Sequence, residues 1–329
     1  PVLRVKLLKL GEGEHVLLRT MHHIVSDGWS EGVFNREFTA LYEAYREGRE
    51  NPLKPLAVQY ADFALWQRGW LGEGRLNEQL EYWKTQLEGI PEWLELPADR
   101  PRPAVQTFEA EACTVMLTGE QTAGLKRISQ KNDATLYMTL LAGLAVLLGR
   151  YSGQDDIVVG SPIANRQDEQ LEEMIGCFVN TLVMRVRLRP EMGFVELLAE
   201  VRQTALEAYE HQDVPFERLV EELSPERALN RTPIFQVSFA VQNAPWSPQK
   251  LEGVEAEGVG AGRELQVRHD LEIHVTERGG QIGMYWLYKK ELYDRWRMEQ
   301  MAKQYVRVLE AVGVNDEEVI GRIELLEKE

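Results

Sequence analysis

His22-His23-Ile24-Val25-Ser26-Asp27-Gly28 is the run on which the reading of this chain turns, and its neighbours say where it sits. Val2 to Leu8 and His15 to His22 are β-favouring stretches joined by Gly11-Glu12-Gly13. They predict a hairpin whose second strand ends at the paired histidines. Beyond Gly28, apolar residues recur at Val33, Phe34, Phe38, Leu41, Tyr42 and Tyr45, the stripe of an amphipathic helix that stops near Gly48. Strand, polar loop, helix is the local plan, with the histidines at the turn.

Imidazole is the side chain whose ordinary pKa suits proton transfer near neutrality, which makes His23 the candidate catalytic residue. Asp27, four residues on, can turn back beneath the loop and hold its shape by pairing with backbone donors or a cation. Gly28 permits a close backbone approach, an N–H aimed at an oxyanion, or a positive φ without a Cβ penalty. His22 reads as loop structure and Trp29 as packing at the helix entry. The competing reading of adjacent histidines is one packed and one solvated at a strand end. A metal site from His22, His23 and Asp27 is the weaker reading, because adjacent strand residues diverge and no further His or Cys stands nearby. His269 and His274 fall in one later strand at odd spacing and read as structural.

The 329 residues exceed the roughly 250–300 at which a single core stops growing, so two lobes are expected. Acidic side chains outnumber basic ones by 53 to 37, a formal charge of −16 that opposes the counterion-release attraction behind nucleic-acid binding. Nucleic acid and anionic membrane surfaces are therefore poor partners. Cys113 and Cys177 stand far apart in no metal-ribbon or disulfide spacing, which fits a reducing, cytoplasmic setting. The longest apolar run, Leu136 to Leu148, falls short of the about 20 residues that cross a bilayer and reads as a buried helix. Residue 1 is Pro rather than Met and no basic, apolar leader follows, so an upstream segment is expected.

Further along, Leu76, Leu80, Trp83 and Leu87 mark a second helix that stops before Gly89 and Pro91. Three prolines in Pro97 to Pro103 exclude helix and central strand and mark a linker. Thr118 and Thr135 are N-caps, the first for a helix to about Lys131 and the second for the apolar run. Strands are expected at Ile157–Gly160, Leu182–Leu188, Phe235–Val241, His269–Val275 and Ile282–Tyr288. Helices are expected at Phe194 to about Tyr209 and Asp294 to Val312. Strands and helices mix without strict βαβ alternation, which favours an α+β layered fold.

The run from His22 to Ser30 resembles the signature of nonribosomal peptide synthetase condensation domains, and four further runs match that family in order. They are Tyr60-Ala61-Asp62-Phe63-Ala64-Leu65-Trp66, Ile175-Gly176-Cys177-Phe178-Val179-Asn180-Thr181-Leu182, His211-Gln212-Asp213-Val214-Pro215-Phe216-Glu217 and Arg231-Thr232-Pro233-Ile234-Phe235-Gln236. Taken singly, these four read as packing and turns, with Phe178, Phe216 and Phe235 buried and Pro215 and Pro233 fixing turns. The resemblance implies a two-lobed, chloramphenicol-acetyltransferase-like pseudodimer with an incomplete N-terminal lobe and the histidine loop in a tunnel between lobes. Residues 1–96 would be the remainder of the N-terminal lobe, 97–106 the Pro-rich linker, 107–313 the C-terminal lobe and 314–329 a connector toward an adenylation domain. Trp29 and Asn180 become candidate tunnel-lining residues. The family's early arginine, the expected partner of Asp27, has no counterpart before Pro1.

The implied reaction is attack by the amine of a downstream carrier-bound aminoacyl thioester on an upstream carrier-bound acyl or peptidyl thioester. Partners would be upstream and downstream peptidyl carrier domains and an adenylation domain. The substrates would ride on phosphopantetheine arms, with no cofactor bound by the chain itself. The run Asp27-Gly28-Trp29-Ser30-Glu31-Gly32-Val33 resembles the subtype that takes an L-configured donor rather than an epimerisation domain. A heterocyclisation domain would carry Asp where His22 and His23 stand. The remaining alternatives are a coenzyme A-dependent acyltransferase and a non-catalytic fragment that only docks carriers.

Overall fold

A computed structural model describes residues 1–223, 228–242, 251–258 and 265–326. The chain opens with β1 (Leu3–Lys9) and β2 (His15–Met21), a 3₁₀ turn at His23–Val25, and the helices α1 (Gly28–Arg46), α2 (Tyr60–Trp70) and α3 (Glu73–Gln86). β3 (Ala110–Met116), α4 (Gly119–Lys131), α5 (Leu136–Ser152), β4 (Asp156–Ile163) and the single turn α6 (Glu169–Glu172) follow. The chain continues through β5 (Asn180–Arg187), α7 (Phe194–Glu210), α8 (Phe216–Leu223) and β6 (Val237–Gln242). β7 (Leu271–Arg278), β8 (Gln281–Lys289) and α9 (Arg295–Val314) complete it. The last three residues of the expected connector lie outside the described residues.

These elements form two compact units, one of residues 1–72, 164–180 and 243–261, the other of residues 73–163, 181–242 and 262–329. The grouping runs differently from the lobe boundaries implied by the resemblance. α3 falls in the second unit because Leu80, Trp83 and Leu87 are buried in its core and Trp83 Nε1 donates to the His211 carbonyl at 2.9 Å. The Pro-rich segment also belongs there, for reasons of charge given below.

In the first unit β1 and β2 pair antiparallel from Leu3 opposite Met21 to Lys9 opposite His15, with a turn where Gly11-Glu12-Gly13 falls. β1 is exposed along its whole length, Leu7 at 66%. Behind the hairpin in sequence, α1 carries its apolar stripe, of which Val33 is buried and Tyr45 is exposed. A small core of Phe63, Leu171, Met174 and Phe178, with Leu56 and Val58 against it, joins α2 to the segment around α6.

The second unit is built on a six-stranded sheet in the order β3-β8-β7-β6-β4-β5. β6 runs parallel to β4 and β7, while β8 runs antiparallel to β7 and β3. This mixture is the α+β layering read from the sequence. α5 is apolar all round and correspondingly buried from Met138 to Leu148. Thr118 and Thr135 cap α4 and α5, each through reciprocal bonds with the residue three positions on. Gly160 lets the Phe235 ring lie directly on β4, since a Cβ there would overlap the ring. Phe235 and Phe178 are buried as expected, whereas Phe216 is half-buried with its ring 5.3 Å from that of Phe235. Among the described residues no single helix is long and apolar enough to cross a membrane.

Residues 97–106 have no helix or strand, yet they are not a loose tether. Asp99 accepts from Arg297 Nε at 2.6 Å and from the Asp294 N–H at 2.9 Å. Arg102 forks onto Asp270 at 3.0 and 2.5 Å. Asp270 also lies 3.3 Å from Lys289 Nζ, which donates to Gln106 Oε1 at 3.0 Å. Asp270 is 2% exposed and Lys289 0%, so the strap is bolted down by a buried charge cluster.

Candidate active site

The histidine loop is held from both ends. The His22 N–H closes the hairpin onto the Val2 carbonyl at 2.8 Å, and its Nδ1 accepts from the Ile24 N–H at 3.0 Å, capping the 3₁₀ turn. That nitrogen therefore carries no proton, and His22 is tied into the loop. His23, the next residue, is exposed. Its Nδ1 lies 3.8 Å from the sulfur of Cys177. His22 is exposed as well, so neither histidine is packed; they differ in what Nδ1 meets, the Ile24 N–H for one and the Cys177 sulfur for the other.

Asp27 is 5% exposed and both its oxygens are occupied. It is the N-cap of α1: Oδ1 takes the Ser30 N–H at 2.9 Å and the Ser30 hydroxyl at 2.7 Å. Oδ2 takes the Phe178 N–H at 3.0 Å. Arg166 Nη2 reaches both oxygens, at 3.1 and 3.3 Å. Burial alone would raise this carboxyl's pKa, but the bonds from Phe178 and Ser30 and the charge of Arg166 outweigh it and hold the group below the usual carboxylate range. Burial holds the Arg166 guanidinium below its ordinary value despite the opposing pull of Asp27, and an arginine remains charged all the same.

Sequence reading placed the cation beside Asp27 outside the chain, whereas the structure supplies it from within. Arg166 has a side chain only 1% exposed. Besides Asp27 it donates to Ser30 Oγ at 3.1 Å, to the Met174 carbonyl at 2.7 Å and to the Leu171 carbonyl, and its guanidinium lies 4.1 Å over the Phe178 ring. One planar fork therefore joins α1 to the 166–178 segment, a task for which Lys has neither the donors nor the geometry. No local pattern links Asp27 to a residue 139 positions away. The only signal was an arginine shortly after a strand whose apolar run ends at Ile163.

The 175–178 backbone is fixed in turn. The Gly176 N–H donates to Ser30 Oγ at 3.1 Å, and the Gly176 carbonyl lies 2.9 Å from the same oxygen, whose single proton it shares with Asp27. The Tyr60 hydroxyl donates to the Cys177 carbonyl at 2.7 Å, and a Cβ on Gly176 would overlap the Tyr60 ring. Tyr60, Phe63 and Phe178 meet ring against ring at 4.7 to 5.9 Å. Trp29 is half-buried, its Nε1 donating to the Glu172 carbonyl at 2.9 Å. Asn180 opens β5 and is half-buried. Gly28 is exposed with no atom within 4 Å of a built Cβ, and it does not have a positive φ. Of the reasons for glycine there, left-handed backbone is removed and room for an outside group remains. His269 is half-buried, with desolvation pushing its pKa down, and its ring lies 4.9 Å from that of Phe235. Among the described residues no cluster of three or more His, Cys, Asp or Glu could hold a metal ion.

The loop thus presents an exposed imidazole on a turn braced by a buried aspartate, an arginine and two backbone segments. The comparisons agree with what its sequence signature suggested. A family model described as the condensation domain matches residues 1–329, and the chain belongs to that family. It is 45% identical over 327 residues to a linear gramicidin synthase protein of Brevibacillus parabrevis, covering 99% of this chain and 4% of that protein. It is 40% identical to the phosphinothricin tripeptide synthetase PhsC of Streptomyces viridochromogenes, covering 96% of this chain and 29% of that one. The X-domain from teicoplanin biosynthesis superposes with a TM-score of 0.87 at 33% identity, over 99% of this chain and 75% of that one. The first condensation domain of the calcium-dependent antibiotic synthetase, solved with a substrate analogue, matches in fold with a TM-score of 0.75 at 20% identity, over 99% of this chain and 70% of that one. The chain thus spans a small part of the synthetases it matches, and about three quarters of the single domains.

Proposed function

We propose that this chain is an acyltransferase that forms an amide bond between an upstream carrier-bound acyl or peptidyl thioester and the amine of a downstream carrier-bound aminoacyl thioester, with an L-configured donor. The observation that carries the proposal is His23, exposed at the head of a turn whose other residues are tied down. Its Nε2 takes a proton from the attacking amine or, when the amine arrives neutral, orients it and steadies the charged tetrahedral intermediate. Gly28 leaves room for the reacting groups and His22 keeps the loop's shape. Asp27 acts through position rather than proton transfer, since both its oxygens are occupied. Trp29 and Asn180 are the flanking candidates for substrate contact.

Both substrates arrive on the phosphopantetheine arms of carrier domains, so positioning carries much of the rate and His23 contributes about 10²–10⁴-fold. Residues 1–96 and 107–313 are assigned to the two lobes of the family fold, and 314–329 to a connector toward an adenylation domain. Cys113 and Cys177 form no disulfide, which fits a reducing, cytoplasmic setting. The test supplies two loaded carriers to the wild type and to His23→Ala. A fall in dipeptide-forming turnover of about 10²–10⁴-fold is the expected result, and unchanged turnover in His23→Ala would sink the proposal.

A second reading is favoured by one comparison. The X-domain from teicoplanin biosynthesis, at 33% identity, is also solved in complex with OxyB, and a chain of this fold can therefore serve as a binding platform. Carrier binding by the wild type without turnover in the same assay would select that reading.

A further inference from the structure

We infer that Cys177 is the positioning residue that sets the tautomer of His23, holding the proton on Nδ1 and leaving the Nε2 lone pair for substrate. The inference deepens the function proposed above and rests on it for its kinetic part only. A histidine that accepts a proton through one ring nitrogen needs the other oriented, and a carboxylate or carbonyl usually does this. Here the nearby carboxylate is already engaged. Asp27 takes the Ser30 N–H and hydroxyl and Arg166 on one oxygen, and the Phe178 N–H and Arg166 on the other. The atom that faces His23 Nδ1 is instead the sulfur of Cys177, 3.8 Å away.

That sulfur is not there by the accident of a loose loop. The residue before it donates its N–H to Ser30 Oγ, the residue after it donates to Asp27, and its own carbonyl accepts from Tyr60. The backbone at 177 is thereby fixed on both sides by the network that braces the loop, and from it Sγ reaches to 3.8 Å of the imidazole. A thiol sulfur is a weak but polarizable acceptor. When His23 takes a proton and becomes imidazolium, its Nδ1–H must point at something, and with sulfur already there the ring has no need to turn. Cys113 plays no such part: it is buried, and burial pushes its thiol up to about 11.

The test uses the full chain with ¹⁵N-labelled histidine, the His23 ring signals being assigned by their loss in His23→Gln. The neutral wild type is expected to show His23 protonated at Nδ1, and Cys177→Ala to move it toward the Nε2-protonated form. With two loaded carriers, Cys177→Ala is expected to lower kcat by about 10–100-fold, as loss of an orienting partner does, with KM unchanged. Cys177→Ser, which keeps an acceptor, is expected to recover part of both. An unchanged melting temperature in Cys177→Ala would exclude a general loosening. A wild-type His23 protonated at Nε2, a tautomer that ignores Cys177→Ala, or a kcat that stays constant while the tautomer moves would each overturn the inference. A tautomer shift in a chain that makes no product would instead leave it standing and overturn the function.

Discussion

An aspartate is buried against an arginine in each compact unit, Asp27 against Arg166 in the first and Asp270 against Arg102 in the second. The environments differ in what else reaches the carboxylate. Asp27 gathers backbone N–H groups from two chain segments as well as a hydroxyl and a guanidinium, and the residues it ties together end in an exposed histidine. Asp270 is met by the side-chain cations of Arg102 and Lys289, and what it ties down is the strap 97–106. Carboxylates that collect backbone donors fix local geometry, whereas those that collect cations fix one segment onto another. The first arrangement suits a site and the second suits stability.

The comparison would break first at Asp270. Asp270→Ala leaves the buried Lys289 and the half-buried Arg102 without their carboxylate, and a loss of about 3–5 kcal/mol is expected in urea unfolding. A loss under about 1 kcal/mol would show that the strap is held by packing alone. Asp27→Asn should be milder for stability, about 1–3 kcal/mol, because Asn still caps α1 while the charged bonds are lost. Its turnover with loaded carriers should fall more steeply than its stability suggests, as the His23 loop loosens.

Acidification sharpens the same contrast. The folded carboxyl of Asp27 lies below the unfolded value of about 3.9, so its contribution is fully present above about pH 4 and lost as pH falls through the folded value. The stability gap between wild type and Asp27→Asn should therefore narrow below about pH 4. A gap that stays constant down to the acid transition would contradict the depressed pKa. The smallest effect is expected from Lys289→Met: Asp270 keeps its forked bond to Arg102 while a buried ammonium is replaced by an apolar chain of similar length. Its change in unfolding free energy should stay within about 1 kcal/mol of zero.

The same contrast explains how much the sequence disclosed. Thr118 and Thr135 cap across three residues and were legible as helix starts, whereas Asp27, read only as a residue that holds the loop, turns out to be a cap of the same kind for α1. The hairpin, α7 and α9 were legible because their apolar residues keep one period. α2 is harder to read, although Gln59 and Asp62 form its capping box, because Gly69 and a run of aromatics blur its stripe. β3 is hidden as well, because Ala110 to Met116 alternates weakly and is set in place by its register on β8, Cys113 opposite Trp286. Three prolines correctly excluded regular structure from the strap, but no local rule tells that Arg102 meets Asp270, 168 residues on. Within the site, His22, His23 and Asp27 were readable as a motif. Arg166 and the sulfur of Cys177 were not, since both come to the loop from the far side of a long excursion of chain.

The exposed hairpin has a consequence of a different kind, in the colloidal behaviour of the protein. Val5, Leu7, Leu17 and Leu18 are exposed on two seven-residue strands that have no third strand beside them among the described residues. Such an edge is a template on which another extended chain can pair. A formal charge of −16 keeps molecules apart at low ionic strength. At about 0.15 M salt the screening length shrinks to roughly 8 Å, and repulsion no longer reaches across two approaching surfaces. Light scattering from the 329-residue chain by itself should therefore rise with added salt and with concentration, and Leu7→Lys should suppress the rise without touching the histidine loop.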